Sequence, residues 1–325
     1  MEEEIFEQRT DLTKLSNAVQ QIKTSLAEII VGQHTTIDLI IAGVLADGHI
    51  LIEGVPGVAK TLTAKLIAKA IDATYSRIQF TPDLMPSDVL GTSVFNPKSN
   101  EFEFRKGPIF GNIILIDEIN RSPAKTQSAL FEVMEERQVT IDSHTHKMQE
   151  PFIVLATQNP VEQEGTYRLP EAQLDRFLFK IEIKYPTLEE EISIISRQHQ
   201  QNPIDQLSHI KPVISVADII ELRQQVKSLH VEPKLLEFVA RIIHETRNNK
   251  AVYLGGSPRA SLAIVNAAKA IAAINGRDFI TPDDITMVAL PVLRHRLMLT
   301  PEKEMEGATP DEVILQIIQK IEVPR

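Results

Sequence analysis

The chain has no cysteine and no tryptophan, and aromatic residues fill only 5% of its 325 positions. Without cysteine there can be no disulfides and no thiolate metal sites, a usage expected of a cytoplasmic protein. Scarce aromatics leave little material for the stacking platforms that hold single-stranded nucleic acid. Positive charge is also in deficit: 34 Lys and Arg stand against 44 Asp and Glu, a formal net charge of −10. A protein that grips a phosphate backbone ordinarily carries the opposite balance, which argues against nucleic acid as a partner. No apolar run approaches the roughly 20 residues that a membrane-spanning helix needs. The opening residues, MEEEIFEQRTD, are acidic and lack the basic-then-apolar layout of a secretory signal.

What is present begins with a loop. The apolar run Ile50-Leu51-Ile52 reads as a buried strand, and Gly54-Val55-Pro56-Gly57-Val58-Ala59-Lys60-Thr61 follows it. A helical pattern then opens, with Leu62, Leu66, Ile67, Ala70 and Ile71 on one face. Strand, glycine-containing loop, Lys-Thr and helix is the context of a phosphate-binding loop. Backbone N–H groups and the positive end of the helix dipole would surround a polyphosphate. Lys60 would reach the β and γ phosphates, and the Thr61 hydroxyl would hold Mg²⁺. The strict pattern has glycine before the lysine, where this chain has Ala59. We expect Ala59 to enter the helix with helical φ, which alanine tolerates, and Gly54 and Gly57 to be the glycines the turn requires.

A second signal is Ile113-Ile114-Leu115-Ile116-Asp117-Glu118. An apolar strand here delivers adjacent carboxylates at its C-terminal end, where ligands of open α/β sheets sit. Asp117 suits a role in holding Mg²⁺, and Glu118 suits that of the general base that polarises an attacking water. Loop and acids together point to ATP hydrolysis.

Further strands are expected at Tyr75 to Phe80, Phe152 to Ala156 and Phe177 to Ile183, with helices between them. This alternation predicts an α/β fold, a P-loop NTPase with a three-layer αβα parallel sheet. Hairpins are expected at about 93–106 and 139–148. Helices are also expected over 12–45, broken near Val31-Gly32-Gln33, and from Pro123 to about Glu136. After Tyr185-Pro186 the pattern becomes helical, centred near 187–200, 215–228, 233–248, 258–275 and 282–298. We therefore divide the chain into a nucleotide-binding domain, 1–185, and a small all-helical lid, 186–325.

Across almost its whole length the chain resembles the MoxR family of AAA+ ATPases. Ile30-Val31-Gly32-Gln33 resembles the turn that packs against adenine. Thr157-Gln158-Asn159-Pro160 resembles sensor 1, so Asn159 would orient the water and contact the γ-phosphate. Glu171-Ala172-Gln173-Leu174-Asp175-Arg176-Phe177 resembles the arginine-finger segment, and Arg168 is a weaker second arginine. Gly255-Gly256-Ser257-Pro258-Arg259 resembles sensor 2, placing Arg259 on the lid over the γ-phosphate of its own subunit. The 93–106 hairpin resembles the helix-2 insert shared with magnesium chelatase and MCM proteins.

The resemblance implies ATP and Mg²⁺ as cofactors, a homo-oligomer forming a hexameric ring, and a partner with a von Willebrand A domain. It implies chaperone-like remodelling or maturation of partner complexes, metal-cofactor insertion included. Two other readings are a nucleic-acid motor of MCM type, which the acidic balance disfavours, and an ATP-gated scaffold that does not hydrolyse. His144 and His146 alternate onto one strand face, but two ligands fall short of the four of a structural zinc site. On the hydrolytic reading, Glu118→Gln retains ATP binding and nearly abolishes turnover. Undiminished phosphate release by that variant would remove Glu118 from the role of base.

Overall fold

The computed structural model describes residues 11–55, 57–159, 167, 169–200 and 210–324. Two helices open it, α1 (Thr13–Ile29) and α2 (His34–Leu45). In α1 the buried residues Leu15, Ala18, Val19, Ile22 and Leu26 repeat at three and four, the period of a one-sided helix. The expected break between the two helices is made by Gly32 and Gln33, both with left-handed backbone, at φ 67° and 55°.

A five-stranded sheet follows, built of β1 (His49–Gly54), β2 (Tyr75–Gln79), β5 (Ile113–Asp117), β8 (Ile153–Gln158) and β9 (Phe177–Ile183). Their spatial order is β2-β5-β8-β1-β9, and every pairing is parallel. Both faces of the inner strands are covered, so β1, β5 and β8 contain continuous apolar runs whose alternate residues serve different cores, whereas β2 at the sheet edge exposes Arg77 and Gln79. Ile50, Ile52, Ile113, Leu115, Ile153 and Leu155 point into one apolar cluster. Leu51, Ile114, Ile116, Val154 and Ala156 point into the other. Helix α3 (Lys60–Ala70) lies in the first cluster and α5 (Ala124–Glu136) in the second. The two expected hairpins are present, β3 (Gly91–Asn96) with β4 (Glu101–Lys106) and β6 (Gln138–Ile141) with β7 (His144–Lys147). Phe104 stacks on His146 with ring centres 4.3 Å apart, joining one hairpin to the other. Short helices α4 (Pro86–Leu90) and α6 (Glu171–Leu174) complete this half.

The lid contains α7 (Leu188–Gln200), α8 (Val216–Lys227), α9 (Pro233–Asn248), α10 (Pro258–Ile274) and α11 (Pro282–Leu293). The helix expected to run to 298 stops at Leu293, because Arg294 to Leu297 turn back towards the entrance of β9. Two helices beyond the expected five follow, α12 (Pro301–Met305) and α13 (Pro310–Lys320). Their starts, Thr300-Pro301 and Thr309-Pro310, repeat the cap-then-proline chemistry of Thr281-Pro282. The lid also holds a two-stranded ladder between β10 (Val252–Leu254) and β11 (Met298–Leu299). Ile219, Leu222, Ile242, Ala267 and Ile271 of the lid share one apolar cluster with α1, α2 and a face of the sheet. Among the described residues no helix is long and apolar enough to cross a membrane.

His49, at the entrance to β1, is buried inside this frame. The Val154 N–H donates to its Nδ1 at 3.0 Å, which leaves Nε2 to donate to the Met134 carbonyl at 3.1 Å. Burial, and then the positive field of Arg137, pushes its pKa down to about 3. In the unfolded chain an imidazole titrates near 6.5. Between those values the unfolded chain binds a proton that the folded chain refuses. The contribution to stability is therefore complete above pH 6.5 and is lost as pH falls. Urea unfolding at pH 5 should give a free energy about 2 kcal/mol lower than at pH 7 from this group alone. In His49→Gln that part of the slope should disappear; an unchanged slope would refute the assignment.

Candidate functional site

Because all five strands run the same way, their C-terminal ends meet at one edge of the sheet. The phosphate loop leaves β1 at that edge, Asp117 closes β5 there, and β8 runs between them and ends at Gln158. Asn159 is thus delivered, buried, between the loop and the acids. This strand order is what converts three distant sequence segments into one site.

The loop needs glycine twice, for different reasons. Gly57 has φ 86°, the left-handed region that side chains avoid. Gly54 lies so close to β9 that a Cβ would fall 3.0 Å from the Ile183 carbonyl oxygen. Ala59 departs from expectation: its φ is 57°, left-handed rather than helical, so the turn closes one residue later than the sequence reading placed it. The alanine costs about 1–2 kcal/mol of backbone strain there, the site at which the strict pattern has glycine. Helix α3 begins at Lys60, and the N–H groups of its first turn, including those of Thr61 and Leu62, face the loop without intrahelical partners. Lys60 Nζ donates to the Gly54 carbonyl at 2.7 Å, which holds the ammonium across the loop. Pro56 lies outside the described residues, as do Pro160 and Arg168.

Beside the loop is a cavity of about 310 Å³. Ile30, Val31 and Gln33 line it from the turn between α1 and α2, and Val58 and Ala59 from the loop. Gln33 Nε2 donates to the Val58 carbonyl at 3.2 Å, tying turn to loop. Gly32 is pressed against α7: a Cβ on it would lie 2.2 Å from Glu190 Oε1. Sequence reasoning missed the opposite wall, Tyr185, Pro186, Glu190 and Arg197, whose only sequence signal was the change of pattern at Tyr185-Pro186. Gln33 Oε1 is buried with no hydrogen-bond partner among the described residues. Ile30, Val31, Val58 and Pro186 give the cavity an apolar side and Glu190 and Arg197 a charged one, a lining that fits the ring and the polar edge of a base.

The acids are held by partners that the sequence did not reveal. Thr157, itself buried, donates from Oγ1 to Asp117 Oδ1 at 3.2 Å and accepts from the Glu118 N–H at 3.1 Å. Arg77 Nε donates to Asp117 Oδ2 at 2.7 Å. Glu118 adopts a left-handed backbone, φ 57°, and its Oε2 accepts from Gln79 at 2.9 Å and pairs with Arg121 at 3.1 Å. The Thr61 hydroxyl and the Asp117 carboxylate are hard oxygen donors, the kind that Mg²⁺ takes. No cluster of three or more His, Cys, Asp or Glu suited to a metal occurs among the described residues, and the two histidines of β7 do not make one.

The two arginines lie elsewhere. Helix α5 leaves the acids and spans its 13 residues, about 20 Å, so Glu135 near its end reaches the opposite edge of the sheet. Arg137, just beyond, confirms the location by donating to the carbonyls of Asp47 and Phe152, the residues entering β1 and β8. Arg176 immediately precedes β9 and pairs with Glu135 at 3.9 Å, while also donating to the Phe131 carbonyl. Arg259 Nη2 donates to the same carboxylate at 3.0 Å. The expectation that Arg259 covers the phosphates of its own subunit is therefore corrected. The lid docks on the α1–α2 face and carries Arg259 to the edge remote from the loop.

The twofold hold of Thr157 on the acids generates a prediction. Thr157→Val keeps the shape but removes both hydrogen bonds, so kcat for Mg-ATP should fall at least tenfold with KM within about threefold. Unaltered kcat would show that the acids keep their geometry without it.

Residues 49–179 match the model of the ATPase family associated with various cellular activities (AAA), and residues 244–317 match that of the AAA lid domain. The chain is 48% identical to the protein YeaC of Bacillus subtilis, over 95% of each chain. It is 43% identical to the chaperone MoxR1 of Mycobacterium tuberculosis, over 96% of this chain and 82% of that one. A crystal structure of a Cytophaga hutchinsonii protein, 40% identical, superposes with a TM-score of 0.89 over 97% of each chain. A phosphate loop, paired acids at the end of a buried strand, a helical lid and these relatives lead to one assignment: the chain belongs to the MoxR family of AAA+ ATPases.

Proposed function

We propose that the protein hydrolyses Mg-ATP in a ring of identical subunits and uses the cycle to remodel or mature partner protein complexes. One observation carries the proposal. The phosphate loop and the acids occupy one edge of the sheet and Arg176 and Arg259 the other, so these two arginines do not reach the site of their own subunit. A head-to-tail arrangement brings the two edges together, and with a closing rotation it generates a ring. The family expectation is six subunits and a partner with a von Willebrand A domain.

In the reaction Glu118 takes a proton from the attacking water, which Asn159 orients, and Lys60 answers the charge on the β and γ phosphates. Thr61 and Asp117 would hold Mg²⁺, which when bound would supply charge neutralisation and a template for the phosphates. Arg176 and Arg259 of the next subunit stabilise the charge that develops as the γ-phosphoryl group transfers. To do so they exchange Glu135 for phosphate. The mixed apolar and polar lining of the cavity supports a nucleotide base there, and adenine is the family expectation.

The acidic balance disfavours a nucleic-acid motor, and a binding-only scaffold has no use for Glu118, Asn159 and two remote arginines. Turnover per subunit should rise with protein concentration as rings assemble. Arg176→Ala and Arg259→Ala should each stay low at every dilution, Arg176→Ala by about 10³-fold in kcat. Equal activity of wild type and both variants at all concentrations would end the ring mechanism.

A further inference from the structure

Arg296 is an arginine that catalysis as described does not use, yet its side chain is only 4% exposed. Its Nε pairs with Asp175 Oδ1 at 2.6 Å. Nη2 donates to the carbonyls of Asp175 at 3.1 Å and Phe177 at 2.7 Å. Nη1 donates to the carbonyls of Leu178 at 3.2 Å and of Val292, near the end of α11. The neighbouring His295, also buried, donates from Nε2 to the Phe177 carbonyl at 2.9 Å. Every nitrogen of the guanidinium is engaged, and its acceptors bracket Arg176 on both sides.

Asp175 reaches further. Its second oxygen, Oδ2, accepts from the Ser257 hydroxyl at 3.4 Å, and Ser257 is the cap residue of the helix that carries Arg259 two positions on. Glu135 lies between the two arginines, 3.0 Å from Arg259 Nη2 and 3.9 Å from Arg176 Nε, while Arg176 Nη1 donates to the Phe131 carbonyl. The arginine-bearing turn before β9 and the arginine-bearing start of α10 are thus linked at their bases through Asp175 and Ser257, and Glu135 bridges the two side chains more loosely. Apolar residues of similar volume commonly stabilise a core as well as a buried ion pair does, so stability alone is a weak reason for this one. A planar guanidinium with five fixed donors defines the path of a backbone as a flexible ammonium cannot.

We infer that Asp175 and Arg296 are positioning residues: they lock the lid to the turn before β9 so that Arg176 and Arg259 enter the neighbouring site as one rigid pair. The inference rests on the reading that these arginines act on the next subunit. It adds that lid position and finger position are a single variable. Any movement of the lid against the sheet, including one driven by nucleotide in the cavity beside α7, displaces both arginines at the far edge.

The test is subunit mixing in the full-length protein. Arg296→Lys keeps the charge but cannot span five acceptors, and Asp175→Asn keeps the shape but loses the ion pair. Each is measured alone for Mg-ATP kcat and KM and for binding of a fluorescent ATP analogue, then mixed with an equal amount of Glu118→Gln. A displaced finger should lower kcat by about 10²-fold while analogue affinity stays within about twofold of wild type. Mixing should restore turnover, because the Glu118→Gln subunit lends an intact arginine pair to the intact site of the positioning variant. Arg176→Ala mixed in the same way is the reference. Recovery with Arg176→Ala but not with either positioning variant overturns the inference and leaves the trans-acting arginines standing. No recovery with Arg176→Ala overturns both. Wild-type kcat in Arg296→Lys and Asp175→Asn also overturns the inference. Should Arg296→Lys fail to bind the analogue, Asp175→Asn decides by the same comparison.

Discussion

Five strands running in one direction divide this molecule into an edge that gathers the phosphate loop and the acids and an edge that gathers Glu135, Arg176 and Arg259. Parallel pairing forces each strand to be followed by a crossover, so every loop that leaves a strand gathers on one side. The loop after β1, the acids after β5 and Asn159 after β8 are neighbours for that reason alone. The return of each helix carries its C-terminal residues to the other side, which is how Glu135 comes to face Arg176 and Arg259 rather than a nucleotide.

The lid makes the separation strict. Its helices share an apolar cluster with α1, α2 and one face of the sheet, and the buried Arg223 pairs with Asp47 at 2.8 Å and donates to the Val44 carbonyl. Arg296 and His295 then bind the entrance of β9 from the lid side. A lid anchored in this way cannot fold over the phosphate loop of its own subunit without tearing a buried, hydrogen-bonded cluster. The proposed need for a second copy to complete the site is a consequence of where apolar surface and two guanidinium groups were buried.

Local chemistry was legible to different depths. Gly57, Lys60, Thr61, Asp117 and Glu118 were readable because a phosphate loop and a strand-end acid pair are made by residues adjacent in the chain. Helix starts were equally readable, though the signal at Thr309-Pro310 went unused. The partners of the acids were not readable: Thr157 lies 40 positions from Asp117 and Arg77 also 40, and nothing in the order of residues announces such contacts. Ala59 was misread because an isolated alanine says nothing of its φ; the closure of the loop onto α3 imposes it.

By itself the sequence determined the alternating α/β pattern, the phosphate loop, the paired acids and the family to which the chain is similar. These depend on short-range order, hydrophobic period and turn chemistry, all of which are written within a dozen residues. Only the tertiary structure decided which edge each arginine occupies. Arg259 meets a carboxylate 124 residues away, and the direction in which a helical lid docks follows from the shape of a core that no single segment contains.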